Sequence, residues 1–149
     1  MISELVYKEI SIKDLPDLAH MYVETFNSEP WNDRWTIETA TKRLQQMINT
    51  EDSYGLCVYN DNVLCGALLG CMEQFYDGIM FNLKEFWIKN EMRGNGIGSA
   101  VFSRLEEELK QKGVTQIILF TSKGDYTEAF YNKNGMESCS DMIFMSKCI

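Results

Sequence analysis

Long apolar runs are missing from this chain of 149 residues, and none approaches the ~20 residues of a membrane span. Its opening residues, Met1 to Lys8, lack a basic region followed by an apolar one. No secretory signal is therefore expected, and a cytoplasmic location is. Five cysteines stand at positions 57, 65, 71, 139 and 148, with no C-x-x-C pair. This odd set argues against a disulfide framework or a zinc site and for reduced thiols, and no metal is expected. A single histidine, His20, and the lack of a G-x-S-x-G elbow argue against a Ser-His-Asp hydrolase. Basic residues are outnumbered, 14 Lys and Arg against 22 Asp and Glu, for a formal charge of −8. That balance speaks against nucleic acid as a partner and is compatible with a cationic amine, although solubility alone accounts for it. No linker, repeat or low-complexity segment interrupts the chain, and its length suits one domain, 1–149, with a full core.

What the chain does have is a glycine turn in a telling place. The apolar run Phe86-Trp87-Ile88 reads as the end of a buried strand. Glycines follow at 94, 96 and 98, and then Ile97, Val101, Leu105 and Leu109 recur at the four-residue spacing of a helix face. A glycine turn lets a ligand come close, and a helix start offers unpaired N–H groups at the positive end of its dipole. Strand, turn and helix together make a seat for phosphate. The spacing is G-x-G-x-G, not the G-x-G-x-x-G of dinucleotide sites. No Lys precedes Ser99, so it is not a P-loop either.

The remaining elements read in order. Residues 4–10 roughly alternate as a first strand, and Ser11 with Asp14 has the form of a capping box before a helix reaching Phe26. Its inward residues are Leu15, Leu18, Ala19 and Tyr22. After a turn-rich segment, Thr36 caps a second helix to about Asn49, with Ile37, Ala40, Leu44 and Met47 or Ile48 inward. Strands follow at 54–59, 63–75 and 81–89, joined by Asn60-Asp61-Asn62 and Asp77-Gly78 turns. The long helix, 97–112, stops at Gly113, and the apolar run from Gln116 to Thr121 predicts a buried parallel strand. A short helix over 125–134 and one or two closing strands in 136–147 complete the order.

The glycine stretch resembles the acetyl-CoA motif of the GNAT (GCN5-related) N-acetyltransferases, Arg/Gln-x-x-Gly-x-Gly/Ala, with Arg93, Gly96 and Gly98 in the matching places. The order of elements is similar to that family's from end to end. The resemblance implies an α/β GNAT fold: a mixed central sheet of about six or seven strands flanked by about four helices. It also implies an acetyl-CoA-dependent N-acetyltransferase, with acetyl-CoA as cosubstrate. The pyrophosphate would lie on the backbone of Gly94, Asn95, Gly96, Ile97, Gly98 and Ser99, with Arg93 shaping the turn or adding charge. Pantetheine would pair with the backbone of Phe86, Trp87 and Ile88 where the central strand splays from the next.

For the chemistry, Ala129-Phe-Tyr131 with Gly135 resembles the family segment A-x-Y-x-x-x-G, which makes Tyr131 the acid for the leaving thiolate. Tyr126 stands where the family often has an asparagine against the cofactor. Glu85, in an apolar strand, is the expected base, because desolvation raises a carboxylate's pKa. A structural salt bridge, with a lysine for example, is the other reading; Glu73 is the second candidate base, and water is the third acceptor for the proton. The acceptor pocket of such a fold would draw on Trp31, Trp35, Glu73, Tyr76 and Asp77, with aromatic faces beside carboxylates to hold an amine. The two tryptophans serve equally well as staples of their loop to the core. The resemblance to small bacterial aminoglycoside acetyltransferases suggests an aminoglycoside or other small polyamine-like acceptor. A peptide or protein amine, or a non-catalytic acyl-CoA-binding module, is the alternative. Family habit also suggests a homodimer, with the Cys- and Met-rich tail at its interface.

Overall fold

The computed structural model describes residues 4–149; Met1, Ile2 and Ser3, part of the stretch read for a signal sequence, lie outside the described residues. The chain divides into two compact units, the first ending at Leu119 and the second running from Phe120 to Ile149. Among the described residues no helix is long and apolar enough to cross a membrane.

The first unit is built on a five-stranded sheet in the order β1-β2-β3-β4-β5. Its strands are β1 (Leu5–Glu9), β2 (Ser53–Asn60), β3 (Val63–Phe75), β4 (Gly78–Ile88) and β5 (Val114–Ile118). The first three pairings are antiparallel and β4 with β5 is parallel, so the sheet is mixed as expected. On one face pack α1 (Leu15–Phe26) and α2 (Ile37–Ile48). Leu15, Leu18, Ala19 and Tyr22 of α1 and Ala40 and Leu44 of α2 meet Cys57, Ala67, Leu69 and Trp87 of the sheet in one buried cluster. Ile37, predicted to face inward, is 42% exposed: as the first residue of α2 it precedes the turn that reaches the sheet. On the other face lies α3 (Ile97–Gln111), burying Ile97, Val101, Phe102, Leu105 and Leu109.

The caps explain the helix starts. Thr36 Oγ1 accepts from Thr39 N at 3.0 Å, satisfying one of α2's orphan donors. Ser11 N donates to Asp14 Oδ2 at 2.8 Å, so the predicted capping box forms, although a short 3-10 turn intervenes before α1. Gly113 follows α3 with φ +81°, the left-handed stop that only glycine adopts readily.

Two expectations need correction. The run predicted as a buried strand at 116–121 is β5 at Val114–Ile118, starting straight after the Gly113 turn, and it is an edge strand, half-exposed along its length. Phe120, inside the predicted run, is 76% exposed. The sheet also has five strands, not six or seven, because residues 136–147 form none.

The second unit holds α4 (Tyr126–Lys133), capped by Asp125, whose Oδ1 accepts from Thr127 N at 2.9 Å and Glu128 N at 3.4 Å. Gly135, at φ +92°, follows the helix, and Met136 N donates to Tyr131 O at 2.9 Å. The Phe120 and Phe144 rings lie 5.8 Å apart, while Met142, Ile143 and Met145 are 70–80% exposed.

Candidate active site

The site begins where two neighbouring strands part. Pairing of β4 with β5 ends at Asn82↔Ile118, yet β4 continues to Ile88. Residues 83–88, which include Phe86, Trp87 and Ile88, therefore run beyond their parallel neighbour while still pairing with β3.

Within that stretch the strand also changes face. Glu85 pairs with Leu69, but the next β3 residue, Gly70, pairs with Leu83, so Lys84 is left over as a bulge. Before the bulge, Phe81 packs its ring 6.5 Å from Tyr54, and Tyr54 in turn lies 4.6 Å below the ammonium of Lys112 at the end of α3. After it, Glu85 and Trp87 point to the opposite face, toward Tyr22 of α1. Without the extra residue Glu85 would share the face of Phe81, because strand side chains alternate.

Glu85 meets two partners there. Arg43 Nε of α2 donates to Glu85 Oε1 at 2.6 Å, and Tyr22 OH donates to the same oxygen at 3.0 Å. The Glu85 side chain is 11% exposed and that of Arg43 42%. Burial pushes the Glu85 carboxyl above the usual carboxylate range, and Arg43 and Tyr22 offset only part of that rise. Burial, then the neighbouring Glu85 charge, raises the Tyr22 hydroxyl, so Tyr22 stays a proton donor to the carboxylate. The salt-bridge partner is thus an arginine, not a lysine. Asn82 Oδ1 and Trp87 Nε1 are buried on the same strand without a hydrogen-bond partner among the described residues, places where water or a ligand atom would be welcome.

Beyond β4 the chain turns through Asn90–Met92 into the glycines. Gly94 and Gly96 both have φ +78°, and a Cβ at either would meet nothing within 4 Å. Their conformation calls for glycine, and the space before them is open to a ligand. Gly96 is the N-cap of α3 and supplies no side-chain cap, so the helix opens at Ile97 on the backbone donors of its first turn. Asn95 Nδ2 ties the turn back to Met92 O at 3.1 Å and Arg93 O at 3.3 Å.

Arg93 serves as a brace. Its Nε donates to Ile88 O at 3.5 Å, its Nη2 bonds Asn90 Oδ1, and its guanidinium sits 4.7 Å from the centre of the Trp31 ring. Trp31 packs edge-on to Phe26 at 4.9 Å, and Trp35 to Tyr22 at 5.1 Å. Asn27 locks the segment between α1 and α2: its side chain accepts from Trp35 N and donates to Trp35 O, both at 2.8 Å. Trp31 and Trp35 thus pack their segment onto α1, Trp31 also against Arg93 of the glycine turn and Trp35 against Arg43 and Tyr22, the partners of Glu85.

Glu73, Tyr76 and Asp77 are not brought to this place. Glu73 pairs with Met80, seven strand residues before Trp87, which is roughly 20 Å at the rise of a strand. Tyr76 is 98% exposed at the tip of that turn. Tyr131 lies in α4 of the second unit, with its ring 5.1 Å from Phe130. The buried thiols are poor nucleophiles: burial pushes Cys57 up to about 12 and also raises Cys65 and Cys71.

Sequence reasoning missed two members of the site. Tyr22 was legible as core, but not its hydroxyl bond. Arg43 sits one residue before inward Leu44, a charge at the margin of an apolar stripe, and that position was the available signal.

Residues 15–136 match the sequence profile of the Acetyltransferase (GNAT) family. No curated protein matches the chain in sequence. Among solved structures, an aminoglycoside acetyltransferase from an uncultured soil metagenomic sample, in complex with sisomicin, aligns with a TM-score of 0.75 at 15% identity over 97% of this chain and 96% of that one. An aminoglycoside N-acetyltransferase in complex with CoA gives 0.74 at 12% identity over 97% and 95%. A ribosomal-protein-alanine N-acetyltransferase from Brucella melitensis biovar Abortus 2308 gives 0.76 at 9% identity over 97% and 100%. At these identities the likeness is one of fold, and the family rests on the profile match over most of the chain. This protein belongs to the GNAT family, which uses acetyl-CoA, and is an acyltransferase.

Proposed function

We propose that the protein, working as one domain over 1–149, transfers the acetyl group of acetyl-CoA to a primary amine by direct attack. The observation that carries this reading is the departure of β4 from β5 after Asn82↔Ile118, just ahead of a glycine turn whose Gly94 and Gly96 face open space. Pantetheine lies along Phe86, Trp87 and Ile88 as an added strand, and the pyrophosphate rests on the N–H groups of Gly94 to Ser99. A backbone N–H near Ile88 polarises the thioester carbonyl. The amine nitrogen bonds to the carbonyl carbon, its proton passes to Glu85, the C–S bond breaks, and Tyr131 protonates the departing thiolate.

The acceptor we favour is an aminoglycoside or another small polyamine-like amine, supported by the fold-level likeness to two aminoglycoside acetyltransferases. The aromatic faces of Trp31 and Trp35 beside Glu85 suit a cation. The likeness to a ribosomal-protein-alanine N-acetyltransferase at a similar score supports a protein amine as the second reading. Exposed Met142, Ile143, Phe144 and Met145 support a homodimer, which light scattering would reveal as twice the 17.3 kDa chain mass.

Calorimetry with acetyl-CoA tests the cofactor seat. Saturable binding by the wild type that Gly96→Trp abolishes is the expected outcome, since the indole fills the space before the turn. No binding by the folded wild type would sink the proposal. Tyr131→Phe should bind acetyl-CoA as before and turn over at least about tenfold more slowly; unchanged turnover would remove its acid role.

A further inference from the structure

Among the described residues, both side-chain bonds to the Glu85 carboxylate end on one oxygen. Arg43 Nε and Tyr22 OH reach Oε1 at 2.6 and 3.0 Å, and Oε2 stands outside these bonds. The donors are themselves held: the Arg43 guanidinium lies 5.8 Å from the centre of the Trp35 ring, and Tyr22 is wedged edge-on between Trp35 at 5.1 Å and Trp87 at 5.2 Å.

We propose that Arg43, braced on Trp35, is a positioning residue for the transfer: with Tyr22 it pins Glu85 Oε1 and leaves Oε2 as the oxygen that takes the acceptor's proton. This rests on the reading of Glu85 as the base. A glutamate has several free rotors, and two bonds on one oxygen remove that freedom before the acceptor arrives. Charge matters as much. A buried carboxylate without a counter-ion takes up a proton and can accept no second one. The groups facing Glu85 are Arg43 from α2 and Tyr22 from α1, which favour the ionised form, and Asp33 from the intervening segment, which opposes it. Lys84 is its neighbour on β4. Since Trp35 supports Arg43 and belongs to the segment that would touch the acceptor, acceptor docking and base position share one part.

The sign of the pH effect follows. Only ionised Glu85 accepts a proton, so activity falls as pH drops through its raised pKa, and losing the Arg43 charge moves that fall to higher pH.

The experiment compares wild type, Arg43→Gln and Arg43→Lys, all checked for folding by circular dichroism. It follows kcat/KM for the amine against pH and the Glu85 carboxyl by carbon-13 NMR. In Arg43→Gln both the acidic limb and the carboxyl titration should rise by about one pH unit or more, with the KM for acetyl-CoA unchanged. Arg43→Lys should restore the limb by keeping the charge, yet not the full rate, because an ammonium lacks the planar Nε–H and the flat face over Trp35. An acidic limb that stays in place in Arg43→Gln, whether or not the carboxyl moves, overturns the proposal. Wild-type turnover in Glu85→Gln is the separate result that would sink the base reading itself.

Discussion

The β3–β4 hairpin carries a carboxylate toward each of its ends, and the two are treated very differently. Glu73, near the turn, is half-buried and pairs its strand with Met80; Cys71 Sγ lies 4.0 Å from its carboxylate. Glu85, past the Lys84 bulge, is enclosed by two helices, an arginine and a tyrosine. One residue type on one hairpin thus has two environments, and the bulge divides them. Polarity does not separate the two carboxylates; what sets Glu85 apart is enclosure beside a counter-ion, and the proposed base role rests on that difference.

The largest effect should come from replacing the enclosed carboxylate. Glu85→Gln is expected to lower kcat by about 10²-fold or more, the scale of general-base catalysis, with acetyl-CoA affinity intact. Glu73→Gln should stay within about twofold of wild type. Steady-state kinetics on the two variants side by side would break the contrast if their effects were reversed.

A smaller effect tests whether the bulge insulates the two ends. A Cβ at Gly70 would sit 2.3 Å from Asn82 O and 2.7 Å from the Phe81 ring, and a backbone atom cannot move aside cheaply. Gly70→Ala should destabilise the fold by about 2 kcal/mol in urea unfolding, through overpacking. If the bulge absorbs the displacement, kcat at permissive temperature is kept. A matching fall in kcat would show that the hairpin acts as one rigid ladder.

Much of this was legible beforehand, for reasons that particular residues make clear. Ile97, Val101, Leu105 and Leu109 announced α3 through spacing, and all four are buried. Arg93, Gly96 and Gly98 announced the turn through their spacing between strand and helix, and Gly96 has the left-handed φ that explains its identity. The face taken by Glu85 was not legible, since it depends on Lys84 being unpaired, and nothing in Leu83-Lys84-Glu85 marks a bulge. Arg43 escaped for a related reason: its meeting with Glu85 spans 42 residues and is set by how α2 lies on the sheet. The closing strands failed differently. Residues 142–145 have the apolar content of a strand, but a strand also needs a pairing partner, which no local pattern records.

The smallest expected effect lies at the exposed turn. Tyr76 is 98% exposed, and the turn beneath it is held by Gln74 Nε2 donating to Phe75 O at 2.8 Å and Gly78 O at 3.4 Å, with no side-chain bond from Tyr76 or Asp77 among the described residues. A Tyr76→Ser, Asp77→Asn double variant should change stability by less than about 0.5 kcal/mol. The KM for a small amine should stay within about twofold, because the turn lies roughly 30 Å along the strand from Trp87. The comparison becomes sharper when a long polycation is the acceptor. A tenfold rise in its KM, with that of a short amine unchanged, would mean that Asp77 captures the far end of an acceptor whose reacting nitrogen sits at Glu85. The two ends of the hairpin would then be two halves of one extended site.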